Sequence, residues 1–206
     1  MAQLSLQKSE TGYNSLQSLV QGSNDMVVAL LRLVALLATL AATIVMALNK
    51  ETKTFVVATI GTNTIKATLT ARFQDTPANT FFVVANGLAT LHNLLVLAAM
   101  FFGKKIDSKG ARYVVISFLD IINLAILSAG TNSAVFMAQL ARHGNNHAQW
   151  NKVCDKFDTF CSRGGGAILA SYVGLAIFLI VILISAFKLH QTVDKNNNNT
   201  HASVEM

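Results

Sequence analysis

The chain has 206 residues, of which 52% are hydrophobic and only 13% charged, with a formal net charge of +6 and a mean hydropathy of +0.47. Water-soluble domains of similar apolar content carry about 25% charged residues, so much of this surface must face something other than water. The hydrophobicity excludes a disordered chain. One proline and 12 glycines exclude a collagen-like fibre, and two cysteines exclude a disulfide-stapled miniprotein.

Residues 1–25 are polar and lack an apolar core, so no cleavable signal peptide is expected and they read as an N-terminal tail. Ala2 does not fit the myristoylation pattern, and the final SVEM carries no prenylation cysteine. Met26–Leu48 is then the first apolar run long enough to cross a bilayer, which takes about 17–25 residues. The others are Phe81–Phe102, Tyr113–Leu140 and Gly166–Phe187. All are too uniformly apolar for barrel strands, and backbone groups in lipid must be satisfied within the segment. The predicted fold is an all-α membrane protein, a four-helix transmembrane domain over residues 26–187. The tail from 188 to 206, with its Asn196–Asn199 run, is predicted to be disordered.

Between the first two spans, Thr64–Phe73 alternates apolar and polar residues, Thr54–Ile60 is rich in β-branched residues, and Gly61-Thr62-Asn63 offers a turn. A small β-hairpin is expected; the alternative is a connector that only looks patterned. The middle loop packs Lys104, Lys105, Lys109 and Arg112 into a short segment, which favours a cytoplasmic position. Cys154 and Cys161 both lie in the third loop, and a pair confined there fits an oxidising compartment and a disulfide. A His2Cys2 zinc set with His143 and His147 is the weaker alternative, because the spacing matches no familiar site. Both termini and the middle loop are therefore expected in the cytoplasm. The sequon at Asn198 would lie there too and stay unmodified.

Charges within spans cost on the order of 2.5–3.5 kcal/mol each at a helix centre. Arg32 in the first span and Asp120 in the third enter from the same face and, at 1.5 Å rise per residue, sit at roughly equal depths of about 9–11 Å. They are predicted to pair as a latch between helices. His92, Asn93 and Asn123 are the other intramembrane polar residues of note, and with Asp120 they would suit a proton or ion path. A transporter normally needs more such groups and broken helices, and Pro77, the only proline, lies outside the spans. Small residues recur every four positions at Gly166, Ala170 and Gly174 in the fourth span and at Ala38 and Ala42 in the first. They would let backbones approach closely, within the bundle or between copies. Arg163-Gly164-Gly165-Gly166 reads as a flexible joint.

No Walker-type loop, HExxH or G-x-S-x-G motif is present, so neither an enzyme nor a cofactor is expected. The basic residues scatter at span ends, where they suit lipid headgroups rather than nucleic acid.

Taken together, Arg32 and Asp120, the run Ala71–Ala78 leading into Phe81–Asn86, and Gly144-Asn145, Trp150, Cys154, Phe157, Phe160 and Cys161 resemble the plant Casparian strip membrane domain protein (CASP) family, in its CASP-like branch. That resemblance implies a plasma-membrane tetraspanning protein, related in architecture to MARVEL-type proteins. It implies homo- and hetero-oligomers with related family members, a scaffold role in a membrane domain, and contacts with cell-wall-side proteins. The Asn-rich tail and short cytoplasmic segments imply no particular recruited partner. A small proton or ion transporter using Asp120 and His92 is the competing expectation.

Overall fold

The computed structural model describes residues 26–102 and 109–204. The N-terminal tail, 1–25, and the lysine-rich part of the middle loop, 103–108, lie outside the described residues. Helix α1 spans Met26–Ala47. Strands β1 (Lys50–Ile60) and β2 (Asn63–Arg72) follow, then a 3-10 turn at Phe73–Asp75, helix α2 (Pro77–Phe102), helix α3 (Lys109–His143) and helix α4 (Asp158–Val204). The segments apolar enough to cross a bilayer are Met26–Ala47, Pro77–Phe102, Val114–His143 and Asp158–Phe187.

Several boundaries differ from the sequence expectation. Helix α2 opens at Pro77, four residues before Phe81, because proline suits the first helical position, where its missing N–H has no partner to lose. Helix α4 opens at Asp158 instead of Gly166, so the glycine triplet lies inside a helix and is not a joint. Packing explains this: Gly164 lies against Asn49 and Met46, and helical stability in proteins comes mainly from tertiary contact. At its other end α4 runs on to Val204, where a disordered tail was expected from 188. No proline or glycine follows Gly174 to stop it, and asparagine weakens a helix by only about 0.7 kcal/mol per residue relative to alanine.

Each helix buries one narrow face. On α1 the buried positions are Arg32, Ala35, Thr39, Ala42 and Met46; on α4 they include Ala167, Ser171, Gly174, Phe178 and Val181. Both series step alternately by three and four, the spacing that keeps one seam turned inward along a bundle. Ala42, Met46, Phe82, Ala134, Ala167 and Ile168 form one packed cluster, and Ala35, Ala89, Leu127 and Phe178 form another. The remaining faces turn large apolar side chains outward, among them Leu95 at 59%, Phe118 at 63% and Leu169 at 69% exposure. No water-soluble monomer presents such a surface, and its natural solvent is lipid.

The hairpin forms. Its strands pair antiparallel from Lys50↔Arg72 to Ile60↔Asn63, with a bulge between Val56 and Ala58. Gly61 supplies the left-handed conformation at the turn, with φ +64°. Cross-strand hydroxyls meet at Thr52–Thr70 and Thr54–Thr68, each 3.0 Å. Only Leu48 and Asn49 separate α1 from β1, whose first residue pairs with the last of β2, so the hairpin stands directly on one end of the bundle.

Candidate functional site

The polar groups inside the bundle converge. Arg32 Nη1 donates to Asp120 Oδ1 at 3.0 Å and Nη2 donates to Oδ2 at 2.5 Å, the two-point geometry that suits a planar guanidinium. Asn93 Oδ1 lies 3.5 Å from Arg32 Nη1. His92 Nε2 lies 2.7 Å from Asp120 Oδ1. A carboxylate only accepts, so Nε2 carries the hydrogen in this contact. The His92 ring is also 6.2 Å from the ring of Phe178 on α4. Asp120 is wholly buried and Arg32 is 3% exposed. This cluster therefore ties α1, α2 and α3 by charge and hydrogen bonds, and touches α4 through a ring.

Asn123, one helical turn after Asp120, is buried, and its Oδ1 has no hydrogen-bond partner among the described residues; the same holds for Asn93 Nδ2. Both are amide groups with unused capacity beside a charged pair.

Further polar contacts join helices. Thr90 Oγ1 donates to Thr39 Oγ1 at 2.9 Å between α2 and α1, and Thr131 and Ser171 hydroxyls lie 2.7 Å apart between α3 and α4. Each hydroxyl pair in a membrane is worth about 0.6 kcal/mol. Their value lies as much in fixing helix rotation.

The small residues act unequally. A Cβ on Gly174 would lie 2.8 Å from Thr39 Cγ2 and 3.7 Å from Ala38 Cβ, so α4 and α1 approach closely there. Ala42 is fully buried in the same interior and Ala170 packs at its edge. Gly166 is exposed, and a Cβ there would meet nothing within 4 Å. The expected stripe of Gly166, Ala170 and Gly174 is corrected accordingly: steps of four drift by about 40° each around a helix, so two steps carry Gly166 off the face that Gly174 occupies. Gly130, which the spacing rule did not single out, lets α3 pack tightly against α2, since a Cβ there would lie 2.6 Å from Ala85 Cβ.

At the hairpin end, the start of α4 is gripped by the start of β1. Asn49 Nδ2 donates to Phe160 O at 2.8 Å, and Glu51 Oε2 accepts from Phe160 N–H at 2.7 Å. Phe160 lies in the first turn of α4, where backbone N–H groups have no partner within the helix, so Glu51 caps that helix from a distant segment. Desolvation pushes the Glu51 carboxyl up, but the Phe160 N–H bond and the Lys53 ammonium beside it outweigh that effect and hold it below the usual carboxylate range. The Phe55 and Phe157 rings meet edge to face at 5.9 Å. No local pattern announces this clasp, because Asn49 and Glu51 stand more than a hundred residues from Phe160 in the chain.

Cys154 and Cys161 are joined by a disulfide with Cα atoms 5.6 Å apart, which removes both sulfurs from any zinc set. Among the described residues no group of three His, Cys, Asp or Glu side chains is placed to hold a metal. Val153 and Cys154 N–H groups both donate to Ala141 O at the end of α3, so the disulfide loop is fastened to two helices. Gly144, at φ +68°, leaves room for Trp150 O, which a Cβ would meet at 2.6 Å.

Residues 21–177 match the Casparian strip membrane protein domain. The chain is 52% identical over 189 residues to CASP-like protein 1B2 of Populus trichocarpa, covering 92% of this chain and 94% of that one. It is 53% identical over 173 residues to CASP-like protein 1B2 of Vitis vinifera, covering 84% and 85%, and 53% identical over 181 residues to CASP-like protein 1B1 of Ricinus communis, covering 88% and 89%. No solved structure matches it significantly.

Proposed function

The chain belongs to the Casparian strip membrane protein domain family, in its CASP-like branch, and on that footing we propose that it is a non-enzymatic scaffold of the plasma membrane. It assembles with itself and with related chains to organise a membrane domain, and the hairpin and disulfide loop face outward to meet cell-wall-side proteins. Both termini and the middle loop lie in the cytoplasm. The reading is supported chiefly by Asp120: both its oxygens are engaged, by Arg32 and His92, in a position without exposure. A charge so held serves to fix one arrangement of helices. A rigid bundle with an apolar outer face is the unit that an assembling platform needs.

The transporter reading rests on one contact, that of His92 with Asp120, because the His92 side chain keeps 14% exposure and so touches the carboxylate from the edge of the interior. One preparation distinguishes the two. Purified chain in liposomes is expected to form oligomers, counted by single-molecule bleaching, with no proton or ion flux. Flux abolished by Asp120→Asn would establish the transporter and overturn the scaffold.

A further inference from the structure

The end of the bundle that carries the hairpin holds a cavity whose charge is unbalanced. It has a volume of 260 Å³ and is lined by Ala47, Asn49, Lys50, Arg72, Phe73 and Gln74. Lys50 and Arg72 stand directly opposite one another on β1 and β2. Side chains so placed have Cβ atoms about 4.5–5.5 Å apart, and like charges there repel. Neither has an ion-pair partner among the described residues. The carboxylates of the hairpin and of the turn after it are engaged elsewhere. Glu51 holds the Phe160 N–H and Lys53, and Asp75 accepts the backbone N–H of Arg72 at 2.9 Å. No carboxylate lines the cavity. Its other polar walls are the amides of Asn49 and Gln74; Asn49 is 1% exposed, and its Oδ1 has no hydrogen-bond partner among the described residues.

Depth decides what can fill this space. Met26–Ala47 is 22 residues long, which at 1.5 Å per residue crosses about 33 Å, the whole of a hydrocarbon core of about 30 Å. Ala47 therefore lies at the edge of the hydrocarbon, with Asn49 and Lys50 just beyond it. The turn Phe73–Asp75 brings the chain back to Pro77, where the second span begins. Phe73 N–H donates to Asn49 O at 3.3 Å and holds the two approaches together. The headgroup layer is about 5–8 Å deep on each side of a bilayer, so the cavity and the lipid phosphates share one level. An arginine and a lysine facing one another suit a phosphate, and basic pockets beside spans take anionic headgroups. A choline headgroup brings a third cation and no hydrogen-bond donor. A polyol headgroup brings hydroxyls that the two amides can meet.

We propose that this cavity seats the headgroup of an anionic phospholipid bearing hydroxyls, with its phosphate between Lys50 and Arg72. The inference goes beyond the scaffold reading and does not depend on it, since a single chain in either orientation offers the same cavity. The test counts lipids bound to the full-length chain by native mass spectrometry, after exchange from micelles containing phosphatidylglycerol or phosphatidylcholine. The wild-type chain is expected to hold one phosphatidylglycerol at least tenfold more tightly than phosphatidylcholine. Lys50→Gln with Arg72→Gln is expected to lose that preference, with the Cys154–Cys161 disulfide intact and the thermal midpoint not lowered. Lys66→Gln with Lys152→Gln, which removes the same charge outside the cavity, is expected to keep it within twofold. Glycerol 3-phosphate at equal concentration is expected not to displace the lipid, because it has no acyl chains to hold it at the interface. Equal binding of the two lipids overturns the inference. So does an equal loss in both double variants, which would make the preference one of overall charge. Displacement by glycerol 3-phosphate overturns the lipid as ligand in favour of a soluble phosphate ester. None of these results bears on the scaffold reading.

Discussion

Arg32 and Asp120 stand 88 residues apart in the chain and meet by two parallel hydrogen bonds, with His92 completing the carboxylate's set. Removing one partner leaves a buried charge alone, which costs about 3–5 kcal/mol, whereas replacing both with apolar residues is often near neutral. Arg32→Leu is therefore expected to block surface delivery. The double substitution Arg32→Leu with Asp120→Leu is expected to recover most of it. Flow cytometry of a surface-labelled chain measures both, and normal delivery of the single variant would contradict the latch.

Glycine packing allows a paired comparison. Gly130→Ala places a Cβ 2.6 Å from Ala85 Cβ, while Gly166→Ala meets nothing within 4 Å. Overpacking costs about 1–3 kcal/mol. Replacing an unconstrained helical glycine with alanine stabilises by about 0.5–1 kcal/mol. Thermal unfolding in detergent is expected to show a lower midpoint for Gly130→Ala and an equal or higher one for Gly166→Ala.

The disulfide between Cys154 and Cys161 closes a short ring. On loop-entropy grounds its loss destabilises the loop by about 2.5 kcal/mol. Cys154→Ser is expected to abolish the mobility shift that reduction causes in the wild-type chain, and to speed proteolysis between α3 and α4. Labelling of both wild-type thiols without reductant would refute the bond.

The Glu51 cap predicts a pH dependence outside the membrane. The carboxyl is held below its ordinary value in the folded state by the Phe160 N–H and Lys53, against desolvation. Stability from the charged cap is thus fully present above the unfolded value and is lost as pH falls through the lower folded value. Hydrogen exchange at the Phe160 amide is expected to rise in that acidic window, beyond its intrinsic pH trend. Glu51→Gln is expected to raise exchange at neutral pH and to remove the acid-dependent step; a wild-type amide with no such step would count against the cap.

Much of the molecule was legible because membranes make depth a property of sequence. Four apolar runs mark four crossings, and a fixed rise per residue places Arg32 and Asp120 at one level before any fold is known. Alternation in Thr64–Phe73 likewise marks a strand, because successive side chains there point to opposite faces. Rotation about each helix was not legible. The outward faces are nearly as apolar as the inward ones, so hydropathy alone does not say that Ser171 and Gly174 turn in while Gly166 turns out. The clasp of Asn49 and Glu51 on Phe160 joins segments whose separation carries no local pattern.

By itself, then, the sequence determined how many times the chain crosses the bilayer, where its strands lie and which charges share a depth, since each follows from the one-dimensional spacing of residues. Only the tertiary structure decided which faces meet: that His92 shares Asp120 with Arg32, and that Gly130 and Gly174 turn inward where a Cβ would collide with a neighbouring helix. Azimuth arises from packing among all four helices at once, and no single helix carries that information in its own spacing.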